Sequence, residues 1–321
     1  MRVITADEIE TALGYPRLVD VLESAFRLGA IAPPRHHHPI KLADRPEATL
    51  LLMPAWSSSE PGAETAGRYI GIKSVTVFPD AARFSKPAVQ GAYLLLSTET
   101  GEPLVLMDAP RLTVWRTAAA SALAARYLAP AKATRMLMVG AGALAPYLVR
   151  AHASVRPIRE VAIWNRTPGS AQRLAGKLAA IGLAASATED LEAAVRSADL
   201  ISTATLSTTP LIRGAWLKPG THLDCVGAFR PDMRETDDDV VRRARMWVDT
   251  REGAMREAGD LVQPLKAGVI EESRIEGDLY ELARGTAPLH RSDDDITMFK
   301  SVGAAIEDLA AAIAVYEAIR T

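Results

Sequence analysis

Two short stretches hold the residues whose spacing most clearly implies chemistry. Residues 136–145, Met-Leu-Met-Val-Gly-Ala-Gly-Ala-Leu-Ala, place Gly140 and Gly142 directly after an apolar run. A buried strand that turns through glycines into a helix lets the backbone approach a pyrophosphate at the helix N-terminus. The second stretch, Ile163-Trp164-Asn165-Arg166-Thr167, begins 23 residues after Gly140. Dinucleotide-binding folds meet the adenosine ribose there, and NAD-preferring versions place a carboxylate for the 2′-hydroxyl. Asn165, Arg166 and Thr167 instead offer a cation and neutral hydrogen-bonding groups, which suit a 2′-phosphate. The pattern predicts NADPH, with NADH as the alternative. Small residues at a strand-helix turn also serve tight packing alone, and a bland reading makes Arg166 a solvated surface arginine.

Three separated cations could anchor an anionic substrate. Arg35 follows Pro33-Pro34, Lys73 interrupts a run containing Ile70, Ile72, Val75 and Val77, and Arg116 precedes Thr117 in an Ala-rich stretch. Lys73 either reaches solvent on an open strand face or is kept for an anion. Arg116 is either a bidentate carboxylate ligand or a surface arginine on an amphipathic helix. His36, His37 and His38 do not make a metal site, because consecutive side chains diverge and no Cys or acidic cluster joins them. Cys225, in Leu223-Asp224-Cys225-Val226-Gly227, reads as a core thiol with no sequence-near histidine to activate it.

The elements that must position these residues follow from pattern. Thr5 with Glu8 starts one helix, and Pro16 starts another that carries Leu18, Leu22, Ala25 and Phe26 on one face. Apolar or β-branched runs at 49–53, 69–78, 89–97 and 103–107 read as strands, with a hairpin turn at 98–102. Asp108 and Pro110 open a helix reaching about residue 127. Strands at 136–140, 160–165, 199–204, 221–226 and 246–249 alternate with helices near 143–154, 168–181 and 189–197, the mark of a doubly wound α/β domain. A final helix carries Val302, Ala305, Ile306, Leu309, Ile313 and Tyr316 on one stripe. It has no further strand to serve, so it is expected to return to the N-terminal half. The Asp runs at 237–239 and 293–295 read as helix caps or solvated faces.

The 321 residues suffice for two domains, and 48% apolar with 24% charged residues is ordinary globular composition. A net charge of −2 provides no global attraction to nucleic acid or an anionic membrane, so the expected partner is a small molecule. One cysteine rules out an intrachain disulfide. No run approaches 18 apolar residues, and the acidic start lacks a signal-peptide pattern; the expectation is a cytoplasmic protein without a membrane span.

Taken in order and spacing, a set of segments resembles the ornithine cyclodeaminase and μ-crystallin family, which also holds an alanine dehydrogenase and ketimine reductases. They are Gly71-Ile72-Lys73, Leu112-Thr113-Val114-Trp115-Arg116-Thr117-Ala118-Ala119, Val139-Gly140-Ala141-Gly142-Ala143, Ile163-Trp164-Asn165-Arg166-Thr167, Val226-Gly227-Ala228 with Pro231 and Glu235, and Phe299-Lys300-Ser301-Val302-Gly303 with Asp308. The resemblance implies a Rossmann domain, residues 118–298, inserted into an α+β substrate-binding and dimerisation domain, residues 1–117 plus 299–321. It implies a homodimer. Arg35, Lys73 and Arg116 would hold the substrate carboxylate, with Arg116 and Thr117 close to the cofactor. Gly140, Gly142, Ala143 and Leu144 would meet the pyrophosphate, and Asn165, Arg166 and Thr167 the adenosine ribose. Thr203, Thr205, Val226, Gly227 and Ser301 would meet the remainder of the cofactor.

One departure from the family shapes the functional expectation. Its cyclodeaminases and alanine dehydrogenase carry an aspartate two residues after the glycine of the Val-Gly pair, where this chain has Phe229. A phenyl ring takes no proton, so a reaction that must deprotonate a free amine loses its base. A preformed cyclic imine needs only a hydride donor, a carboxylate anchor and protonation of its nitrogen. The reading is an NADPH-dependent ketimine reductase acting on Δ1-pyrroline-2-carboxylate, with its six-membered homologue as a second candidate substrate, Lys73 as proton donor or pure anchor, and Arg116 beside it. Two alternatives stand: a cyclodeaminase or amino-acid dehydrogenase whose base is Asp224 or His222, and a non-catalytic, μ-crystallin-like protein that holds NADPH and a small ligand.

Overall fold

A computed structural model describes residues 1–57, 68–289 and 292–320. The chain divides into two compact units, residues 1–117 with 304–321, and residues 118–303.

The first unit opens with β1 (Arg2–Ile4) and α1 (Ala6–Ala12), the latter started by a reciprocal Thr5/Glu8 capping box. Pro16 lies in the first turn of α2 (Tyr15–Leu28), which buries Leu18, Leu22 and Phe26. Six strands follow: β2 (Ala30–Ile31), β3 (His36–Ile40), β4 (Ala48–Ser57), β5 (Tyr69–Val77), β6 (Val89–Ser97) and β7 (Pro103–Asp108). They join β1 in a seven-stranded sheet of order β1-β7-β6-β5-β4-β2, with β3 also paired to β4. Only β1 and β7 run parallel. Strand side chains alternate between faces, and one face buries Met53, Ala55, Tyr69, Gly71, Lys73, Val75, Tyr93, Leu95, Val105 and Met107. Lys73 thus sits in a row of core residues.

Asp108 accepts the Arg111 N–H at 2.7 Å and so caps α3 (Ala109–Leu128). Trp115 of that helix stacks on Tyr15, ring centres 4.5 Å apart, and donates its indole N–H to Glu10. The division between the units falls within α3, after Thr117.

The second unit alternates strand and helix: β8 (Arg135–Val139), α4 (Ala145–Val155), β9 (Glu160–Trp164), α5 (Pro168–Ala179), β10 (Ala185–Ala187), α6 (Leu191–Ser197), β11 (Leu200–Thr203), β12 (His222–Cys225), α7 (Asp238–Arg243), β13 (Arg245–Val248), α8 (Arg251–Glu257), α9 (Gly259–Lys266), β14 (Ile275–Asp278), α10 (Leu279–Arg284) and β15 (Thr297–Lys300). The sheet order is β10-β9-β8-β11-β12-β15-β13-β14, and every pairing is parallel. Every residue of β11, β12 and β15 is buried, as expected for strands covered on both faces. This is the doubly wound, Rossmann-type α/β architecture, with its order reversing beside β8.

Two boundaries and one burial pattern differ from expectation. Residues 299–303 belong to the second unit, because Phe299 and Lys300 pair with β12 and β13 in the parallel sheet. The last helix, α11 (Ala305–Arg320), starts after Val302. It is buried continuously from Ala305 to Ala312, with Ile313 and Tyr316 only half-buried, so it carries no single apolar stripe. Asp237 does cap α7, accepting the Val240 N–H at 3.0 Å.

Candidate active site

The glycine turn follows β8. Gly140 has φ +110°, and a Cβ there would stand 2.6 Å from the Ala204 carbonyl oxygen, so only glycine fits. Its N–H donates to the Trp164 carbonyl at 2.8 Å. A Cβ on Gly142 would meet nothing within 4 Å. Among the described residues, the N–H groups of Gly142, Ala143 and Leu144 have no hydrogen-bond partner, and no side chain caps α4. Three donors at the positive end of an 11-residue helix make an arrangement suited to an anion.

Asn165, expected at the adenosine ribose, makes two hydrogen bonds within the chain. Its Oδ1 accepts the Ala141 N–H at 3.1 Å, and its Nδ2 donates to the Thr167 carbonyl at 3.1 Å. The amide therefore ties the end of β9 to the glycine turn. Arg166 is exposed and makes no ion pair among the described residues.

Beyond the reversal of strand order, the expected cofactor contacts lie at the C-terminal ends of their strands. Thr203 and Thr205 direct their hydroxyls to Glu235 at 2.8 and 2.7 Å. Val226 and Gly227 are buried after β12. Ser301 is buried after β15, and its Oγ has no hydrogen-bond partner.

In the first unit, Lys73 and Arg116 converge on α11. Lys73 Nζ lies 2.7 Å from Asp308 Oδ2, and Arg116 Nε lies 2.9 Å from Asp308 Oδ1. Arg116 Nη1 donates to Glu307 Oε2 at 2.5 Å, and Glu307 Oε1 accepts the Ala304 N–H at 3.2 Å. All four side chains are buried. Burial lowers the Lys73 pKa to about 8; Arg116 and Arg35 push the same way, and Asp308 opposes them. Arg35 is half-buried between β2 and β3, close enough for its charge to act on Lys73. The cross-strand neighbour of Lys73 is Tyr93. Its hydroxyl fills the space a Cβ on Gly71 would need and has no hydrogen-bond partner; burial raises its pKa, reinforced by Asp308.

Asp308 and Glu307 were not assigned roles from sequence. The signal was present: two acids inside the apolar run Ala305-Ile306-Glu307-Asp308-Leu309-Ala310 pose the same problem as Lys73 in its strand.

The two alternative bases, Asp224 and His222, are both buried and hydrogen-bonded within the fold. Asp224 is fully buried, bound to His152 Nε2 at 2.9 Å and to the Ser202 hydroxyl at 2.7 Å. His222, equally buried, pairs with Thr297 at 2.9 Å. Burial also lifts the Cys225 thiol far above its ordinary pKa, as a core thiol requires. Phe229 is 44% exposed and follows Ala228, whose φ is +49°. Among the described residues no cluster of three His, Cys, Asp or Glu could hold a metal, and no helix is long and apolar enough to cross a membrane.

A parallel doubly wound sheet with an open donor cradle, and a unit that buries Lys73 and Arg116 against two acids, define an oxidoreductase of the Rossmann type. The family model for ornithine cyclodeaminase/mu-crystallin proteins matches residues 1–321, and the chain belongs to that family. The Δ1-pyrroline-2-carboxylate reductase of Paracoccus denitrificans is 41% identical over 265 residues, 82% of this chain and 81% of that protein. The Thermococcus litoralis Δ1-pyrroline-2-carboxylate reductase, solved with NADH and L-proline, has a TM-score of 0.90 at 30% identity, covering 100% of this chain and 98% of that one. An archaeal alanine dehydrogenase dimer with bound NAD has a TM-score of 0.89 at 30% identity, covering 100% and 96%.

Proposed function

We propose that this chain reduces Δ1-pyrroline-2-carboxylate, and its six-membered homologue, to L-proline and L-pipecolate with NADPH. The observation that carries the reading is the buried Lys73–Asp308–Arg116 cluster with Arg35 beside it. Arg35 and Arg116 bind the imine carboxylate. Lys73, with its pKa near neutrality, donates a proton to the imine nitrogen and makes carbon 2 electrophilic. Asp308 keeps that ammonium charged and oriented until transfer. Bound NADPH supplies the hydride to carbon 2. The free N–H groups of Gly142, Ala143 and Leu144 suit its pyrophosphate, and Arg166 suits the 2′-phosphate.

The relatives support the same chemistry: a Δ1-pyrroline-2-carboxylate reductase in Paracoccus, and one bound to NADH and L-proline in Thermococcus. The NADPH preference therefore rests on Arg166 and the missing carboxylate. A homodimer is supported by the half-buried apolar row Pro54, Ile72, Leu94 and Leu106, in register across β4 to β7, and by the dimeric alanine dehydrogenase. A single buried thiol accords with a cytoplasmic setting.

The test is steady-state assay with Δ1-pyrroline-2-carboxylate, ornithine and alanine. NADPH oxidation by the imine is expected, without ammonia release from ornithine or NADP⁺ reduction by alanine. Tight NADPH binding without imine turnover would instead indicate a binding protein. Arg166→Asp should shift preference toward NADH by about tenfold; an unchanged ratio removes the assignment of the phosphorylated cofactor.

A further inference from the structure

The second unit buries a charged network that this mechanism leaves unused. Glu235 accepts from Thr203 Oγ1 at 2.8 Å and from both the N–H and the hydroxyl of Thr205 at 2.7 Å. A Cβ on Gly227 would stand 2.3 Å from the same carboxyl group, so the backbone there rests directly on Glu235. Lys300 donates to the Gly227 carbonyl and lies 3.3 Å from Asp260. Asp260 Oδ1 in turn accepts the N–H groups of Glu235 and Thr236 at 2.8 and 2.9 Å and the Thr236 hydroxyl at 2.9 Å. Glu235 and Asp260 are fully buried and Lys300 is 1% exposed.

Each segment held by this network lies at the C-terminal end of a strand: Thr203 and Thr205 at β11, Gly227 at β12, Lys300 at β15. Ligands of doubly wound sheets lie along that edge, and the strands beyond the reversal of order serve the second mononucleotide half. Ser301, next to Lys300, supplies an independent sign of a ligand there, since its buried hydroxyl has no protein partner. Leaving such a group unpaired is unfavourable.

We infer that Glu235, held by Lys300 and Asp260, is a positioning residue that sets the Thr203–Thr205 and Val226–Gly227 segments as the support for the nicotinamide half of the dinucleotide. The inference rests on the proposed dinucleotide reading. The adenosine half depends on the turn after β8 and the end of β9; no side-chain hydrogen bond of the network runs to either, and the one approach is Ala204 and Thr205 packing against Gly140. Burial pushes the Glu235 pKa up to about 7, with Lys300 opposing, so the strut is close to losing one of its acceptor oxygens at neutral pH.

The experiment compares NADPH with 2′-phospho-ADP-ribose, which lacks the nicotinamide, as ligands of the full chain and of Glu235→Gln. The glutamine keeps the shape but turns one acceptor into a donor. The NADPH Kd is expected to rise at least about tenfold, with loss of the bound nicotinamide fluorescence signature, while the Kd for 2′-phospho-ADP-ribose stays within about twofold. Equal weakening of both ligands, or of neither, overturns the inference. If Glu235→Gln does not fold, Thr205→Val removes one donor to the carboxylate and is judged by the same split. Failure of the unaltered chain to bind either ligand overturns the dinucleotide reading, and this inference with it; failure of the split alone leaves that reading standing.

Discussion

In the first unit Lys73, Arg116 and Arg35 stand around Asp308 and Glu307, three cations to two carboxylates; in the second, Lys300 stands between Glu235 and Asp260, one cation to two. Both clusters are buried, yet burial acts on them in opposite senses. It lowers Lys73 to about 8 and raises Glu235 to about 7. In each case the low-dielectric interior disfavours the charged form. The first cluster can restore balance by taking up an anion, which is what a carboxylated substrate provides. The second balances itself with backbone and hydroxyl donors, six of which reach Glu235 and Asp260. The same residue types thus make a binding site in one place and a strut in the other.

The widest gap between the clusters should appear on deleting a cation. Lys73→Ala and Arg116→Ala are each expected to reduce imine turnover about a thousandfold while NADPH still binds. Near-full activity of Lys73→Ala at saturating imine would remove the proton-donor role and leave Lys73 as an anchor at most. A smaller effect concerns pH. If Lys73 donates the proton, kcat/KM falls as pH rises through about 8, where the ammonium is lost. Asp308→Asn removes the charge that favours the ammonium, so this alkaline limb should move to lower pH. A limb that stays in place would separate Asp308 from the proton transfer.

The smallest effect belongs to the strut. Glu235 binds its proton more tightly in the folded chain, about 7 against the ordinary 4.5. A raised folded pKa contributes stability that is complete below about 4.5 and lost as pH rises through about 7. Glutamine does not titrate, so Glu235→Gln should flatten the fall in Tm across that window. An unchanged pH dependence of Tm would show that another group accounts for it.

Much of this was legible in the chain. The glycine turn was readable because Gly140 answers a local demand: a positive φ beside the Ala204 carbonyl. The burial of Lys73 was half-legible. Tyr69, Gly71, Lys73 and Val75 alternate along β5, which puts the lysine on the core face, but nothing nearby in sequence says what neutralises it. Its partner lies 235 residues away, on a helix whose own acids looked like any charged pair. The hydrogen bonds of Asn165 were hidden for the opposite reason. Its position at the end of β9 was right, but its side chain turned to the Ala141 N–H, a choice set by the close approach of two turns. Asp224 and His222 looked available as bases until β12 proved to lie between two paired strands, with both side chains buried.

By itself the sequence determined the parallel α/β pattern, the glycine turn after β8, the absence of a carboxylate at the end of β9 and the phenylalanine in place of a family acid. These depend on residues close together in the chain, where backbone geometry and periodicity leave few options. The tertiary structure decided which charges face each other: that Asp308 and Glu307 hold Lys73 and Arg116, and that Glu235 supports Gly227 from eight residues further along. Electrostatic pairing in an interior depends on distance and desolvation, and neither is written in sequence order.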